Sequence, residues 1–573
     1  MTSTIKVDTI SENTSANGVA VDGVTLKDGA VGAAGTATSV AGIPFYQGDT
    51  GSIYTHDVSG TDSTAQYNTA YGLTAMDAIT TGDDNVAIGF NAGGTMTTGL
   101  ENVIIGSDAV GTGVMTAGQG VFIGNDAGLN KTSGSSCIFI GYQAGEQVTT
   151  GGSNIFIGRN AGDDHDTENN NLGIGQDALG GAIAGAEYNV AVGNFSLDAL
   201  TSGDGNVAVG YQAGTALTTG NVTAIGHRAG DGLTTGGGGV HIGYDAGRVY
   251  DTENHNIGIG NYSLGAVIAG AEYNVAIGSF ALDALTSGDN NTAVGYNAGS
   301  AVTTGFSNVI IGQEAGLSLT TGSNNVAIGR EALRNEDGHG RNVAIGLQTL
   351  FTQNAGAEAY NVAVGFQAGT SITTGINNVM MGGLALDALT TADGITAVGY
   401  AAGGALTTGT GNTLFGHQAG LVLTTHESNS IFGYNAGIAL VESNNVIMGR
   451  NAAKAATSAN GNVIIGDAAV DTGVLTGDNN VVIGKLAGQD MTSAFDCTFI
   501  GETAGQNITT GRSNIAIGKS ALYQPDTEQH NLAIGAVALG GVIAGGEYNV
   551  AIGNYTLDAL TSADGTTAIG YNA

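Results

Sequence analysis

The sequence predicts an all-β protein built as a parallel β-solenoid, and a repeated pentapeptide supports that prediction. The phrase NVAIG occurs at 85–89, and its variants recur from 68–72 to 566–570. Aligned on the final glycine, the phrase has 30 copies spaced by about 17 residues, and every copy keeps that glycine. A short fixed period is typical of a solenoid, in which each repeat forms one turn, here called a rung, stacked on its neighbours.

The composition fits a long repeat protein. The chain has 573 residues, of which 100 are Gly and only 2 are Pro, and 42% of the residues are hydrophobic. The glycines follow the long repeat and not every third residue, which excludes collagen, and the patterned apolar residues exclude a disordered linker. The formal net charge is −35. Because such a surface repels phosphate backbones, we expect no nucleic-acid partner.

Within each rung, positions are counted from the constant glycine as position 0. Positions −3 and −1 are mostly Val, Ile or Leu, so alternation places these side chains on one face of a strand and position −2 on the other. Ala is usual at +3, Gly is frequent at +4, and Leu, Val or Met is frequent at +7. We predict a thin roll with two short strands and two turns per rung over residues 67–573. At about 4.8 Å per rung it would be on the order of 140 Å long.

The residues before the repeat differ in pattern. Residues 4–10 alternate polar and apolar as a half-buried strand does, Asn17-Gly18 is a turn signal, and 19–21 and 24–26 read as short strands. We therefore predict an N-terminal attachment segment at 1–30 and a connector at 31–66. The start of the chain has no long apolar core, and we expect neither a secretory signal nor a membrane span.

Two columns are predicted to be structural. Asn occupies position −4 in 23 of the 30 rungs, for example at Asn85, Asn102 and Asn154, where stacked amides can hydrogen-bond as a ladder. The constant glycine, for example Gly89, Gly106 and Gly124, indicates a positive φ or a close backbone approach. Cys137 and Cys497 occupy the Asn slot, 21 rungs apart, so we expect no disulfide between them.

Position −2 bears on the quaternary structure. It is Ala in 15 rungs and otherwise almost always apolar, and we expect it to point away from the interior of the rung. A tall apolar stripe would not face water, so the sequence predicts a cyclic homo-oligomer that buries it. The predicted interface residues are Ala87, Ile104, Phe122, Phe139, Phe156, Ala191, Ala276, Ile310, Ile464 and Phe499.

The phrases NVAIGFNAG, NVAVGYQAG and NTAVGYNAG resemble the head repeats of YadA-like trimeric autotransporter adhesins. The resemblance covers residues 67–573 and implies a left-handed parallel β-roll and a homotrimer. The N-terminal stretch TSTIKVDTISENTSANGVAVDGVTLKDGAV resembles the openings of fibre-like structural proteins of marine bacteriophages, including cyanophages. That resemblance implies a virion component attached through its N-terminus, which projects toward a host surface receptor or carries a separate tip protein.

Four rungs replace the usual Thr-Thr-Gly turn with acidic residues. Three have the sequence Asp-Thr-Glu, and the fourth is Asp337-Gly338-His339. Clustered carboxylates could bind Ca²⁺, although the chain has neither an EF-hand spacing nor a nonapeptide calcium repeat. The alternative is a duplicated structural cassette. The weak candidate ligands are Asp166, Glu168, Asp251, Glu253, Asp526 and Glu528.

The sequence favours a non-enzymatic function. Rung length barely varies, so no cleft is expected for paired carboxylates, and no nucleophile set or phosphate-binding loop has supporting spacing. We predict no catalytic residues, no cofactor and a structural fibre located in a virion. The alternatives are a bacterial cell-surface adhesin or extracellular filament and, less favoured, an ice-binding solenoid with its paired threonines.

Overall fold

A computed structural model describes residues 19–21, 24–26, 38–40, 43–47, 51–55, 64–249 and 252–573. These residues contain strands and turns but no helix. The strand predicted at 4–10, the turn predicted at 17–18 and much of the predicted segments 1–30 and 31–66 lie outside the described residues. The chain divides into two compact units, Met1–Tyr273 and Asn274–Ala573.

The first unit contains strands β1 to β17. Their bounds are β1 Val19–Val21, β2 Val24–Leu26, β3 Thr38–Val40, β4 Ile43–Gln47, β5 Ile53–Tyr54, β6 Thr69–Tyr71, β7 Val86–Ile88, β8 Val103–Ile105, β9 Val121–Ile123, β10 Ile138–Ile140, β11 Ile155–Ile157, β12 Leu172–Ile174, β13 Val190–Val192, β14 Val207–Val209, β15 Thr223–Ile225, β16 Val240–Ile242 and β17 Ile257–Ile259. The pairs β1–β2, β3–β4 and β4–β5 are antiparallel. From β5 to β17 each strand pairs with the next in parallel.

The second unit contains strands β18 to β35. Their bounds are β18 Val275–Ile277, β19 Thr292–Val294, β20 Val309–Ile311, β21 Val326–Ile328, β22 Val343–Ile345, β23 Val362–Val364, β24 Val379–Met381, β25 Thr396–Val398, β26 Thr413–Phe415, β27 Ser430–Phe432, β28 Val446–Met448, β29 Val463–Ile465, β30 Val481–Ile483, β31 Thr498–Ile500, β32 Ile515–Ile517, β33 Leu532–Ile534, β34 Val550–Ile552 and β35 Thr567–Ile569. Each pairs with the next in parallel and in register.

The predicted parallel β-solenoid is therefore confirmed, with strands on the pentapeptide lattice. Register is kept residue for residue, since Val86, Ala87 and Ile88 pair with the same positions one rung later. The prediction of two strands per rung is wrong. Within the described solenoid each rung has one three-residue strand, and the opposite edge is an irregular turn. That edge is held by bonds such as Thr80 N–H to the Thr97 carbonyl at 2.9 Å.

The constant glycine combines both predicted causes. At all 30 copies φ lies between 130° and 148°, a region that residues with a Cβ rarely adopt. The backbones of successive rungs also approach closely there. A Cβ added to Gly89 would lie 2.4 Å from the carbonyl oxygen of Gly106, and one added to Gly106 would lie 2.1 Å from that of Gly124. No side chain fits at position 0.

The predicted asparagine ladder is present. The Asn102 side-chain amide donates to Asn85 Oδ1 at 3.0 Å, and the Asn102 backbone N–H donates to the same oxygen at 3.0 Å. Asn154 is part of the column, since its Oδ1 accepts the Asn171 backbone N–H at 2.9 Å. All of these side chains are fully or almost fully buried. Each amide satisfies a backbone group of the adjoining rung, so the column stabilises stacking.

Adjacent glycines allow a direct test of the position-0 constraint. Gly382 has a φ of 131°, and an added Cβ would lie 2.4 Å from the Gly399 carbonyl oxygen, whereas at Gly383 the nearest atom would be 3.6 Å away. We predict that Gly382→Ala costs at least about 1–3 kcal/mol from the backbone conformation alone. Gly383→Ala is the control and should cost less than about 1 kcal/mol. Urea denaturation and amide hydrogen exchange at β24 and β25 measure the difference, and equal effects would refute the constraint.

Candidate functional site

The predicted oligomer interface is wrong about which face of the strand it uses. The position −2 side chains point into the interior of the roll, and within a single chain each is 0–1% exposed: Ala87, Ile104, Phe122, Phe139, Phe156, Ala191, Ala276, Ile310, Ile464 and Phe499. They pack with the buried residues at +3 and +7, such as Ala92 and Met96. These residues form the core of the solenoid and are not available to a second chain.

The interior is narrow, which explains the frequent Ala at position −2. Where that residue is Phe, the +4 residue is Gly. A Cβ added to Gly128 would lie 2.8 Å from the Phe122 ring, and one added to Gly162 would lie 2.6 Å from the Phe156 ring. The rings of Phe139 and Phe156 stack at 5.2 Å. A large side chain at position −2 is therefore matched by the absence of a side chain at +4 of the same rung, as close packing requires.

The opposite face of the same strands is apolar and points outward. Positions −3 and −1 are half-buried to exposed in every rung, and position +1 adds exposed rings. Ile88 is 40% exposed, Met381 42%, Phe415 52% and Met448 44%. We call the −3 and −1 columns the outer apolar face. The +1 column beside it is mixed, with aromatic rings in some rungs and charged residues such as Arg450, Asp467 and Lys485 in others. Since soluble monomers rarely expose apolar patches of more than a few hundred Å², this face is the main candidate for an interaction surface.

Aromatic side chains at +1 stack from rung to rung beside this face. In the first unit, Tyr211 stacks on His227 at 5.3 Å and His227 on Tyr244 at 5.0 Å. In the second unit, Tyr400 stacks on His417 at 5.4 Å and His417 on Tyr434 at 4.9 Å. These tyrosines are 43–53% exposed. The rings extend the outer apolar face beyond the strands.

The Asp-Thr-Glu turns use their carboxylates internally. Glu168 Oε1 accepts the Gly185 backbone N–H at 2.9 Å, and Oε2 accepts those of Asp166 and Thr167 at 3.0 Å each. Glu528 makes the same set with Gly545, Asp526 and Thr527. Glu253 repeats it with Gly270 and Thr252, whereas Asp251 lies outside the described residues.

The aspartates at the start of these turns are also engaged. Asp166 Oδ1 accepts the Thr149 hydroxyl, and Asp526 Oδ1 accepts the Thr509 hydroxyl. These carboxylates accept hydrogen bonds from the turn and from adjoining rungs. They therefore close each turn and hold it against the neighbouring rungs. The geometry supports the structural interpretation over a Ca²⁺ site.

The described surface carries shallow depressions. One is lined by Leu384, Tyr400, Gln418 and Leu421 around a single carboxyl, Asp387. Burial raises the pKa of Asp387. Hydrolysis of a glycosidic bond requires two opposed carboxyl groups, and this depression supplies one.

Comparison with known proteins gives no assignment. No protein-family profile matches the chain. No curated protein matches it. Within the described ranges, no helix has the length and apolar character needed to cross a membrane.

His165 is an ionisable group in the core that the sequence did not single out. It occupies the +7 position, usually Leu, Val or Met, lies 4.7 Å from the Phe156 ring and is fully buried. Burial lowers its pKa from 6.5 to about 4, opposed by the nearby Glu168 carboxylate. The folded chain therefore keeps this imidazole neutral where the unfolded chain protonates it.

We predict that His165→Leu removes an acid sensitivity. Below the unfolded pKa of 6.5 only the unfolded chain binds the proton, so stability falls as pH drops toward about 4. The loss should be about 2 kcal/mol at about pH 5. Asp163 acts in the opposite direction, since burial raises its pKa to about 7.

The measurement is the difference between wild type and His165→Leu in urea denaturation at neutral and acidic pH. Asp163 is common to both proteins, so its contribution cancels in the difference. A constant difference across that range would contradict the buried neutral histidine.

Proposed function

We propose that this chain is a non-enzymatic structural fibre, with the solenoid as the shaft of a virion fibre that projects toward a host surface. The observation that carries the proposal is the uniformity of the rungs. Strand, glycine and asparagine columns repeat without a large insertion, so the described surface is made of extended faces. A repeated axial scaffold of this kind supports a spacer or attachment function better than catalysis at one centre.

We propose that the shaft is a homotrimer assembled through the outer apolar face. The −3 and −1 side chains are half-buried to exposed in all 18 strands of the second unit, so the apolar face continues over the whole unit. An extended apolar patch of this kind marks an interaction surface. Its −3 and −1 columns are mostly Val, Ile or Leu, and this repetition suits contacts between identical copies related by a rotation axis. The formal charge of −35 leaves acidic residues for the remaining surface.

A bacterial surface adhesin or an extracellular filament would use the same shaft, and it is the second candidate. Ice binding is less well supported. Its threonine hydroxyls would have to face water, but those of Thr303, Thr373 and Thr390 donate to main-chain carbonyls of the following rung at 3.0–3.2 Å. The N-terminal segment is the proposed attachment to the virion or filament base, and a host receptor or a tip protein is the proposed distal partner.

We predict that charges on the outer apolar face dissociate the trimer without unfolding the chain. The variant is Met381→Asp, Phe415→Asp and Met448→Asp combined, at exposed side chains outside the core. Carboxylates brought together in a dry interface repel each other and lose hydration. Analytical ultracentrifugation should change from three chains to one, with the far-UV circular dichroism spectrum retained.

The matched control is Thr374→Asp, Thr408→Asp and Thr425→Asp, which adds the same charge at exposed positions on the threonine side of the rungs. It should remain trimeric. A monomeric wild-type chain at micromolar concentration, or equal effects of the two triple variants, would contradict the proposed interface.

The location of the protein tests the proposed function. Electron microscopy of virions with gold bound to an N-terminal tag should place the label at the particle surface and the shaft beyond it. A label at the distal end would contradict the proposed orientation. Protein found on a cell envelope without virions would instead favour the adhesin.

A further inference from the structure

The turn at residues 336–339 in the second unit differs from the other acidic turns. Among the described residues, Glu336, Asp337 and His339 form a group whose possible metal-ligating atoms all lie within 4.8 Å of one another. Glu336 is 0% exposed, Asp337 is exposed and His339 is partly exposed. The group thus extends from the core of the solenoid to its surface.

This turn is built on the same plan as the Asp-Thr-Glu turns. The Asp337 carbonyl accepts the Thr320 backbone N–H, as the Asp166 carbonyl accepts that of Thr149 and the Asp526 carbonyl that of Thr509. Asp337 therefore occupies the slot of Asp166, nine residues before the constant glycine. Glu336 then takes the slot of His165, and His339 takes the slot of Glu168. The imidazole and the glutamate carboxyl are therefore exchanged between these two positions.

The exchange changes which polar atoms are left without a hydrogen-bond partner. In the first Asp-Thr-Glu turn these are, among the described residues, the two ring nitrogens of His165. In the Asp-Thr-Glu turns, backbone N–H groups occupy both carboxylate oxygens of the glutamate. In the 336–339 turn, the His339 backbone N–H donates to Glu336 Oε1 at 3.2 Å. Glu336 Oε2 and His339 Nδ1 have no hydrogen-bond partner within the described part of the chain. A carboxyl buried in an apolar column with an open lone pair is costly unless something binds it.

Two hydrogen bonds to backbone carbonyls also hold the turn in place. The Thr321 hydroxyl donates to the Gly338 carbonyl at 3.3 Å, and the Asn325 amide donates to the His339 carbonyl at 3.3 Å. The preceding rung therefore fixes the main chain. The Glu336 carboxyl, 3.5 Å from His339 Nδ1, and the Asp337 carboxyl remain available together.

We propose that Glu336, Asp337 and His339 bind a divalent first-row transition-metal ion. Two carboxylates and one imidazole suit Zn²⁺ or Mn²⁺ better than Ca²⁺, which prefers oxygen donors alone. Neighbouring donors of a tetrahedral Zn²⁺ ion lie about 3.4 Å apart. The 3.5 Å between Glu336 Oε1 and His339 Nδ1 fits this spacing, and the exposed Asp337 would have to rotate toward them to complete the set. The ion would bind Glu336 Oε2 and His339 Nδ1, the two atoms of the turn without a hydrogen-bond partner among the described residues, and would link the buried Glu336 to the exposed Asp337.

The competing account is an ion pair between Glu336 and His339 with no metal. Substitution of Glu336 by leucine separates the two accounts, because Leu is a usual residue at this interior position, as at Leu319. Glu336→Leu should fold and, without metal, be at least as stable as wild type. It should lose the metal-dependent stabilisation completely.

The test uses the full chain after chelator treatment, with Zn²⁺ in isothermal titration calorimetry and Co²⁺ in visible absorption. Wild type should show one specific site, and Glu336→Gln, Asp337→Asn and His339→Asn should each weaken Zn²⁺ binding at least about tenfold. Zn²⁺ should also slow amide exchange in β22 of wild type. Controls are Asp526→Asn, in the slot of Asp337, and His255→Asn, an exposed imidazole; both should bind Zn²⁺ as wild type does.

Three results would overturn the proposal. The first is Zn²⁺ affinity unchanged in His339→Asn or Glu336→Leu. The second is a wild-type chain that neither binds Zn²⁺ nor gains exchange protection from it. The third is Ca²⁺ binding that depends on Glu336 and Asp337 but not on His339, which would replace the transition metal with a hard cation.

Discussion

The close approach of successive backbones at position 0 governs the rest of the structure. With only hydrogen on Cα, the glycines stack so tightly that an added Cβ at Gly399 would lie 2.3 Å from the Gly416 carbonyl oxygen. This contact fixes the register of each strand on the next. Register in turn aligns the asparagine amides into a column and keeps every position −2 side chain in the core. Loss of one glycine would therefore disturb several columns at once.

The narrow interior explains which substitutions the repeat accepts. Phe at position −2 requires Gly at +4, and His241 at position −2 faces Gly247, where an added Cβ would lie 2.2 Å from the imidazole. Polar residues in this interior differ in how far their surroundings satisfy them, and both ring nitrogens of His165 lack a hydrogen-bond partner in the described part of the chain. Cys497 keeps the ladder by donating its backbone N–H to Asn480 Oδ1 at 3.0 Å, and burial raises the pKa of its thiol to about 11. Glu336 is satisfied only in part, since Oε1 accepts the His339 backbone N–H at 3.2 Å and Oε2 has no hydrogen-bond partner within the described residues. A carboxyl in this interior slot distinguishes its turn from the Asp-Thr-Glu turns.

Much of the fold was predictable from the sequence, because the period, the constant glycine and the asparagine column each follow from backbone geometry that stacked rungs impose. Which face of the strand points into the core was not predictable. Ala87 and Ile88 are both apolar, and a three-residue strand has no polar face to mark the outside. The absence of a second strand was equally hard to predict. Turns stacked in register form backbone hydrogen bonds from rung to rung, as strands do, without an extended backbone. The sequence of the Asp-Thr-Glu turns also fits metal ligands, because it does not show that backbone N–H groups donate to both carboxylate oxygens of Glu168. Glu336 was missed because its neighbour Asp337 matched the acidic pattern and Glu336 did not.

Variable turns beside invariant strands have a consequence for how such a chain changes length in evolution. Spacings of 16 to 19 residues are absorbed away from the strand, and the stretches 172–204 and 257–289 are near-duplicates offset by 85 residues, five rungs. Unequal recombination between such duplicates would insert or delete whole rungs and leave every column continuous. Each inserted or deleted rung would change the length of the stack by about 4.8 Å. A chain lengthened or shortened in this way would keep the same glycine and asparagine columns.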